Sequence, residues 1–326
     1  MGAQRTSPGQ GAYTIAHAVV FERPEALTLR EIDLPPPAAG EVIVDVEWSG
    51  ISTGTEKLLW RGEMPAFPGL GYPLVPGYET VGRVAACGAG SRSSVGDRVF
   101  VPGARCFGEI RGLFGGAASR LVVDESKIIP VRESLAEAAV LLALGATAHH
   151  ALRAGPAAPL PELIVGHGVL GRLLARLTLA LGGPPPTVWE TDAARAEGAL
   201  GYPVLRADED PRRDYGHVVD VSGDPDILDH LVARLGRQGE IVLAGFYARP
   251  LAFTFPPAFM KEASIRVAAE WTPDDLAAVE TLTRSGALAL DDLITHRAPA
   301  TEAASAYPTA FSDPDCLKMV LDWRHP

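Results

Sequence analysis

Apolar and polar positions alternate with period two along Glu41-Val-Ile-Val-Asp-Val-Glu-Trp48, which predicts a half-buried strand. Shorter strand-like segments lie at 17–21, 26–32, 80–84, 97–101 and 119–123, separated by Gly- and Pro-rich turns such as Pro35-Pro-Pro-Ala-Ala-Gly40. Strands at such spacing predict a small β-barrel or sandwich. The pattern changes near Leu135. Residues 136–152 are rich in Ala and Leu with Gly145 as the one breaker, and they predict a helix. After a bend at 156–161, strands at 162–165, 187–190, 217–221 and 240–245 alternate with helices at 172–181 and 225–235. A strand at 264–269, a helix at 273–285 and a strand at 316–323 close the chain. The β-α alternation is that of a parallel, doubly wound sheet.

The fold expected is therefore α/β, with a β-rich domain, a nucleotide-binding Rossmann domain and a C-terminal return to the first. The boundaries expected are a disordered tail at 1–16, the β-rich domain at 17–134 and 271–326, and the Rossmann domain at 135–270. The length of 326 residues, 47% apolar and 21% charged, fits two folded domains. A net charge of −11 argues against nucleic acid as a partner, because phosphate backbones require a basic field. Three dispersed cysteines, Cys87, Cys106 and Cys316, suit neither a disulfide framework nor a cysteine-rich zinc module. The longest apolar run, 138–148, falls short of a bilayer span, and the N-terminus lacks the apolar core of a secretory signal. A soluble protein of the reducing cytoplasm, with no integral membrane segment, is expected.

Gly166-His-Gly-Val-Leu-Gly171 fits G-x-G-x-x-G between a buried strand and a helix. Gly166 permits the tight turn, Gly168 the approach of a pyrophosphate, and Gly171 the packing of helix on strand. The phosphates would meet the helix N-terminus formed by Val169, Leu170 and Gly171. Glu190, 19 residues after Gly171, ends the next strand. Its carboxylate suits the adenosine ribose hydroxyls and would repel a 2′-phosphate, so NAD is expected rather than NADP. His167 either touches the pyrophosphate or covers the turn. Ser222-Gly223 and Gly245-Phe246 follow strands at the carboxyl edge, where such sheets bind ligands; Ser222 would contact cofactor or cap a helix at Pro225.

Other chemistry is weaker. His149 and His150 are adjacent and point to different helix faces, one buried and one exposed, so they make a poor metal pair. No G-x-S-x-G elbow marks a hydrolase. Glu79, in Pro76-Gly-Tyr-Glu79, is structural, Arg-paired or catalytic. Phe107, Phe114, Phe246, Phe253, Phe255 and Phe259 fall in Gly/Pro-rich loops, where they line a flat apolar site or pack the core.

The domain order resembles the medium-chain dehydrogenase/reductase superfamily over residues 17–326, with a GroES-like β-rich domain. In that superfamily S-G-x-C-x-x-D and P-G-H-E segments line the active site; here they read Ser49-Gly-Ile-Ser52-Thr-Gly-Thr55 and Pro76-Gly-Tyr78-Glu79. The two zinc-ligand positions thus carry Ser52 and Tyr78, and a third falls on Ala143, four residues before Thr147-Ala148. Those side chains cannot assemble a zinc site, so no metal is expected. The resemblance also implies that Thr147 packs beside the nicotinamide and Arg195 lies near the adenosine ribose; otherwise Thr147 bonds its own helix and Arg195 is a solvated surface residue. Ser49-Gly-Ile-Ser-Thr-Gly-Thr-Glu-Lys-Leu-Leu-Trp60, Gly71-Tyr-Pro-Leu-Val-Pro-Gly-Tyr-Glu79 and Phe100-Val-Pro-Gly-Ala-Arg-Cys-Phe-Gly108 are similar to the bacteriochlorophyllide a dehydrogenase family. That similarity implies NAD-dependent oxidation of a hydroxyethyl group on a bacteriochlorophyllide substrate to acetyl, late in bacteriochlorophyll a synthesis, by a homodimer or higher homo-oligomer.

Without zinc a protein group must hold the substrate hydroxyl and pass on its proton. Tyr78 or Ser52 is expected to hold it, with Thr53, Glu79 or Lys57 relaying, unless Tyr78 and Ser52 only fill the space zinc would take. The alternatives are a zinc-free quinone or enone reductase of the same superfamily and a non-catalytic pigment-binding protein.

Overall fold

The computed structural model describes residues 14–153 and 159–324. Of the tail expected at 1–16, residues 1–13 lie outside the described residues, while Thr14, Ile15 and Ala16 already belong to the first strand. Residues 156–158 of the expected bend lie outside them as well.

The N-terminal half contains β1 (Thr14–Arg23), β2 (Ala26–Leu34), β3 (Glu41–Ile51), α1 (Thr55–Arg61), β4 (Leu74–Val75), β5 (Thr80–Cys87), β6 (Arg98–Val101), β7 (Arg111–Gly112), β8 (Arg120–Asp124) and β9 (Ile129–Pro130). The middle contains α2 (Leu142–Leu152), β10 (Leu163–Val165), α3 (Val169–Ala180), β11 (Thr187–Trp189), α4 (Ala193–Ala196), β12 (Val204–Leu205), β13 (Tyr215–Asp220), α5 (Leu228–Arg234), β14 (Leu235–Leu243), α6 (Phe255–Lys261) and β15 (Ser264–Val267). The end adds α7 (Pro273–Arg284), β16 (His296–Pro299), α8 (Ala303–Ser312) and β17 (Met319–Asp322).

The β-rich unit closes two sheets, one ordered β2-β1-β4-β7 and the other β16-β17-β3-β5-β6-β9, with β8 also on β3. Strand β3 is central to the second. It pairs antiparallel with β5, β8 and, through Ile51↔Met319, with β17, so the last strand returns to the first unit. The other unit is a six-stranded sheet ordered β12-β11-β10-β13-β14-β15, parallel throughout. The chain leaves β10 toward β11 on one side and crosses to β13 on the other, so the order reverses between β10 and β13. Ligands in such sheets enter the crevice at that reversal.

Apolar burial explains the layers. Ile164, Val188, Val219 and Val242 face α2 and α3, while Leu163, Val218, Ile241 and Leu243 face α5 and α6. Helix α7 packs across α2 through Leu276 and Val279, at a point where a Cβ on Gly145 would stand 2.9 Å from Val279 Cγ1. The sequence puts the second crossing near Glu270; α7 nevertheless shares the core of the parallel sheet, as do Leu288, Leu290 and Leu293.

Three expected elements change. The helix read at 136–152 is α-helical only from Leu142; residues 133–141 form tight 3₁₀ turns, broken at Ala136 with φ +43°. The Arg98 guanidinium explains the break, since it donates to Arg132 O at 3.1 Å and to Ala136 O at 2.6 Å. The helix read at 225–235 shrinks to α5, and β14 starts at Leu235 rather than Glu240. Phe255 and Phe259 lie on α6 rather than in a loop, with two prolines in its first turn.

Candidate active site

Strand β3 delivers Ser52 to the start of α1, and Tyr78 enters from the turn before β5. Tyr78 Oη donates to Ser52 Oγ at 2.7 Å, and Thr55 Oγ1 stands 3.2 Å from both oxygens. Burial, followed by the Glu79 charge, pushes the Tyr78 phenol well above its ordinary value, so it is neutral around pH 7. The third zinc position, Ala143, is a buried methyl on α2. Two neutral hydroxyls already bonded to each other and a methyl do not fit a zinc ion, which takes thiolate, imidazole or carboxylate. Among the described residues no other group of His, Cys, Asp and Glu forms a metal cluster.

Two expected partners separate. Glu79 is fully buried and bonded to Lys318 rather than to the hydroxyls, with Lys318 Nζ at 2.9 and 2.7 Å from its two oxygens. A buried carboxylate paired with Lys318 and bonded to none of the hydroxyls reads as structural rather than as the proton relay expected. Thr53 lies in the turn before α1 and Lys57 within α1, and among the described residues neither hydrogen-bonds Ser52 or Tyr78. Burial first, then Arg61 and Arg195, lower the Lys57 ammonium from its ordinary value.

The dinucleotide turn follows the expected division of labour. Gly166 has φ +101°, and its N–H bonds Trp189 O at 2.8 Å. A Cβ on Gly171 would lie 1.8 Å from Gly166 O, whereas one on Gly168 meets nothing within 4 Å. Gly168 therefore faces open space. The N–H groups of Val169, Leu170 and Gly171 precede the first bond of α3, Arg172 N to Gly168 O at 2.9 Å. This arrangement fits a dinucleotide pyrophosphate.

His167 covers the turn. Its Nδ1 stands 2.6 Å from Arg195 O and its Nε2 2.9 Å from Tyr202 Oη. Because a carbonyl only accepts, Nδ1 carries the proton and Tyr202 donates to Nε2. Burial takes the imidazole down to about 4, so the ring is neutral. Glu190 accepts from the N–H groups of His167, Thr191 and Asp192 at 3.0, 2.7 and 3.0 Å. The Thr191 hydroxyl adds a long 3.4 Å contact to Oε1, so Oε2, which accepts only from His167 N, is the oxygen with room for a ribose hydroxyl.

The remaining cofactor-side residues are mixed. Thr147 Oγ1 donates to Ala143 O at 3.0 Å, the back-bond of a helical threonine. Arg195, on α4, has a buried Nε with no partner among the described residues. Ser222 Oγ accepts from Asp224 N at 3.1 Å, closing a turn rather than capping α5, which starts only at Leu228. Gly223 (φ +72°) and Gly245 approach each other there: a Cβ on Gly245 would lie 3.4 Å from Gly223 N. His149 is buried and His150 only partly exposed, and both reach Asp275, at 2.7 and 2.9 Å.

An aromatic series crosses the cleft. Tyr78 packs edge-on against Phe114 at 5.4 Å, Phe114 against Phe67 at 6.3 Å, and Phe67 against Phe246 at 6.2 Å. Phe107 is core, and Phe253, Phe255 and Phe259 belong to a different surface around α6. Sequence reasoning overlooked Phe67, Thr55, Glu56, Lys318 and the pair at the carboxyl edge in which Tyr247 Oη donates to Asp220 Oδ2 at 2.5 Å. Thr55 had a local signal, being the fourth hydroxyl or glycine position after Ile51; Lys318 had none.

Residues 38–133 match the alcohol dehydrogenase GroES-like domain. The chain is 58% identical over 307 residues to the 2-desacetyl-2-hydroxyethyl bacteriochlorophyllide A dehydrogenase of Rhodobacter capsulatus, covering 94% of this chain and 98% of that one. It is 58% identical over 312 residues to the protein of the same name from Cereibacter sphaeroides, with the same coverage. The chain belongs to this dehydrogenase family. The family lies within the medium-chain dehydrogenase/reductase superfamily. In fold it is similar to a short chain alcohol dehydrogenase from E. coli CFT073 crystallised with NADH, with a TM-score of 0.81 at 24% identity over 94% of this chain and 99% of that one.

Proposed function

We propose that the protein oxidises the hydroxyethyl group of a bacteriochlorophyllide to acetyl, as the names of its 58%-identical relatives describe, with NAD⁺ as hydride acceptor. The observation that carries this reading is the aromatic series from Tyr78 through Phe114 and Phe67 to Phe246. It joins the hydroxyl cluster to the carboxyl edge of the parallel sheet as a run of edge-to-face rings, an apolar border against which an aromatic pigment could pack. In the division of labour proposed, residues 17–134 with those from 294 onward hold the pigment, and residues 135–293 hold the dinucleotide.

Bound NAD⁺ would supply the hydride acceptor for the carbinol carbon, which leaves the hydroxyl proton for the protein to remove. On the dinucleotide side, the N–H groups of Val169, Leu170 and Gly171 would take the pyrophosphate and Glu190 the adenosine ribose. Arg195, Thr147, Gly223, Gly245 and Phe246 would line its path. On the pigment side, Ser52 Oγ or Tyr78 Oη would hold the substrate hydroxyl. Tyr78 is neutral and so a poor base by itself; it passes a proton only as another leaves. Lys57 suits the end of that path, because an ammonium lowered by burial and by Arg61 and Arg195 releases its proton more readily. Thr53, in the turn before α1, would be the intervening hydroxyl.

A homodimer is part of the proposal. Strand β15 is an edge of the six-stranded sheet, and beside it Phe253, Phe255, Phe259 and Met260 border a groove of about 470 Å³. An edge strand with its outer side unpaired among the described residues, next to an exposed apolar patch, suits a second copy meeting it across a two-fold axis. Three free cysteines, two of them buried, suit a reducing cytoplasm.

The test mixes metal-free protein with the hydroxyethyl pigment and either NAD⁺ or NADP⁺, following NADH absorbance and the pigment spectrum together. One NADH per acetyl pigment, with NADP⁺ poor, is expected. Activity only after zinc is added would overturn the roles given to Ser52 and Tyr78. Pigment binding without turnover on either cofactor would favour a carrier.

A further inference from the structure

Below the hydroxyl cluster lies a dry, charged floor. Glu56, in the first turn of α1, is 1% exposed; Glu79 and Lys318 are 0% and 1%. Three successive main-chain residues are fixed there, the first by a main-chain bond and the next two by side chains. Gly50 N donates to Glu79 O at 2.8 Å, Ile51 O accepts from Lys318 Nζ at 3.1 Å, and Ser52 N donates to Glu56 Oε1 at 3.1 Å. The fit at Gly50 is tight, since a Cβ would come within 2.2 Å of Glu79 Oε2. Ser52, the last of the three, is the one whose Oγ accepts from Tyr78.

Two carboxyls share this space with one ammonium. Lys318 is committed to Glu79, so Glu56 faces a second acid rather than a free cation. Glu79 faces it from the turn before β5, Lys318 from the start of β17, Tyr307 from α8 and Tyr78 from above. Burial first and the Glu79 charge second raise the Glu56 carboxyl; the Ser52 N–H, Lys318 and Tyr307 pull it back, to about 8. Its Oε2 is buried, and the Tyr307 hydroxyl is the polar side chain from α8 that reaches this carboxyl. Ionising Glu56 would place a second negative charge beside Glu79 and push the Tyr78 phenol higher still.

We propose that Glu56 is a positioning residue of the active site, its carboxyl fixing the Ser52 main chain while Lys318 fixes Ile51, so that Ser52 Oγ stays in register with Tyr78 Oη. The inference rests on the role given to Ser52 and Tyr78 above. Glu56 itself touches no substrate. A glutamine keeps the acceptor for Ser52 N and cannot ionise; a leucine keeps the volume and loses the acceptor.

The experiment compares full-length wild type with Glu56→Gln and Glu56→Leu. For Glu56→Gln, kcat within about threefold of wild type is expected, and for Glu56→Leu a kcat lower by about tenfold or more at unchanged KM for NAD⁺. Wild-type kcat should fall as pH rises through about 8, and that fall should vanish in Glu56→Gln. Infrared spectra provide a readout independent of turnover: a protonated-carboxyl band in wild type that titrates near 8 and is missing from Glu56→Gln. Wild-type kcat in Glu56→Leu, or a band that survives in Glu56→Gln, overturns the proposal. If Glu56→Leu does not fold, the band and the alkaline limb of Glu56→Gln decide. A protein that shows the band but never turns over pigment separates a failure of the Ser52–Tyr78 reading from a failure of this one.

Discussion

Tyr78 Oη and Ser52 Oγ stand 2.7 Å apart across 26 residues of sequence, bonded to each other at the positions where the resemblance would put two zinc ligands. The contact is neutral, half-sheltered and walled on one side by Phe114. A substrate hydroxyl entering here would meet a donor and an acceptor already oriented, with no metal needed to hold it.

Replacing Tyr78 with Phe removes the hydroxyl and keeps the ring against Phe114. A loss of kcat of about a hundredfold or more is expected, in the range of a removed acid–base or hydrogen-bonding group, with NADH affinity unchanged. Steady-state kinetics beside a fluorescence titration of NADH would check it. Wild-type turnover in the variant would reduce Tyr78 to a space-filling residue.

The two inner glycines of the turn should fail differently. Gly171→Ala sets a methyl against the Gly166 carbonyl at 1.8 Å and should destabilise the fold by about 3 kcal/mol or more. Gly168→Ala meets nothing within 4 Å, so its melting temperature should stay near wild type while NAD⁺ affinity drops about tenfold or more. Thermal melts and NAD⁺ titrations of both variants test the pair. A stable Gly168→Ala with full affinity would mean that no pyrophosphate passes there.

What the sequence made legible was local. The turn from Gly166 to Gly171 and the alternation along β3 are each written in consecutive residues, and both stand where the pattern puts them. The 3₁₀ turns before α2 were hidden because Arg98, far back in the chain, takes the carbonyls of Arg132 and Ala136. The Lys318–Glu79 pair spans 239 residues, and no spacing rule reaches that far. Glu79 was visible as a candidate with its role open between structural, Arg-paired and catalytic, and its partner Lys318 lay too far along the chain to choose among them. His167 was the reverse case, an ambiguous residue whose ring contacts with Arg195 O and Tyr202 settle it as part of the turn's packing.

Acid stability should depend on Asp275. Burial raises its carboxyl, but the bonds it accepts from Thr272, His149 and His150 outweigh that and take it from 3.8 down to about 2. A folded value below the unfolded one means stability that is present above 3.8 and lost as pH falls through about 2, worth about 2 kcal/mol. Asp275→Asn should lose this at neutral pH, along with the cap of α7, and show a flatter stability profile across that acid window. Urea denaturation at a series of pH values measures both; parallel profiles for the two proteins would refute the assignment.

The edge of the parallel sheet gives the assembly prediction. Phe255, Phe259, Met260 and Val267 are 65%, 64%, 72% and 72% exposed, an apolar patch beside a strand whose outer main-chain groups are unpaired among the described residues. Water penalises both features, and pairing with a second copy removes both at once. Phe255→Glu with Val267→Lys would place charges on that face without touching Ser52, Tyr78 or the glycine turn. Light scattering should show a dimer or larger for wild type and a monomer for the double variant, with NAD⁺ affinity within about twofold. Persistence of the wild-type mass in the variant would move the interface away from β15 and leave the patch as a site for something other than this chain.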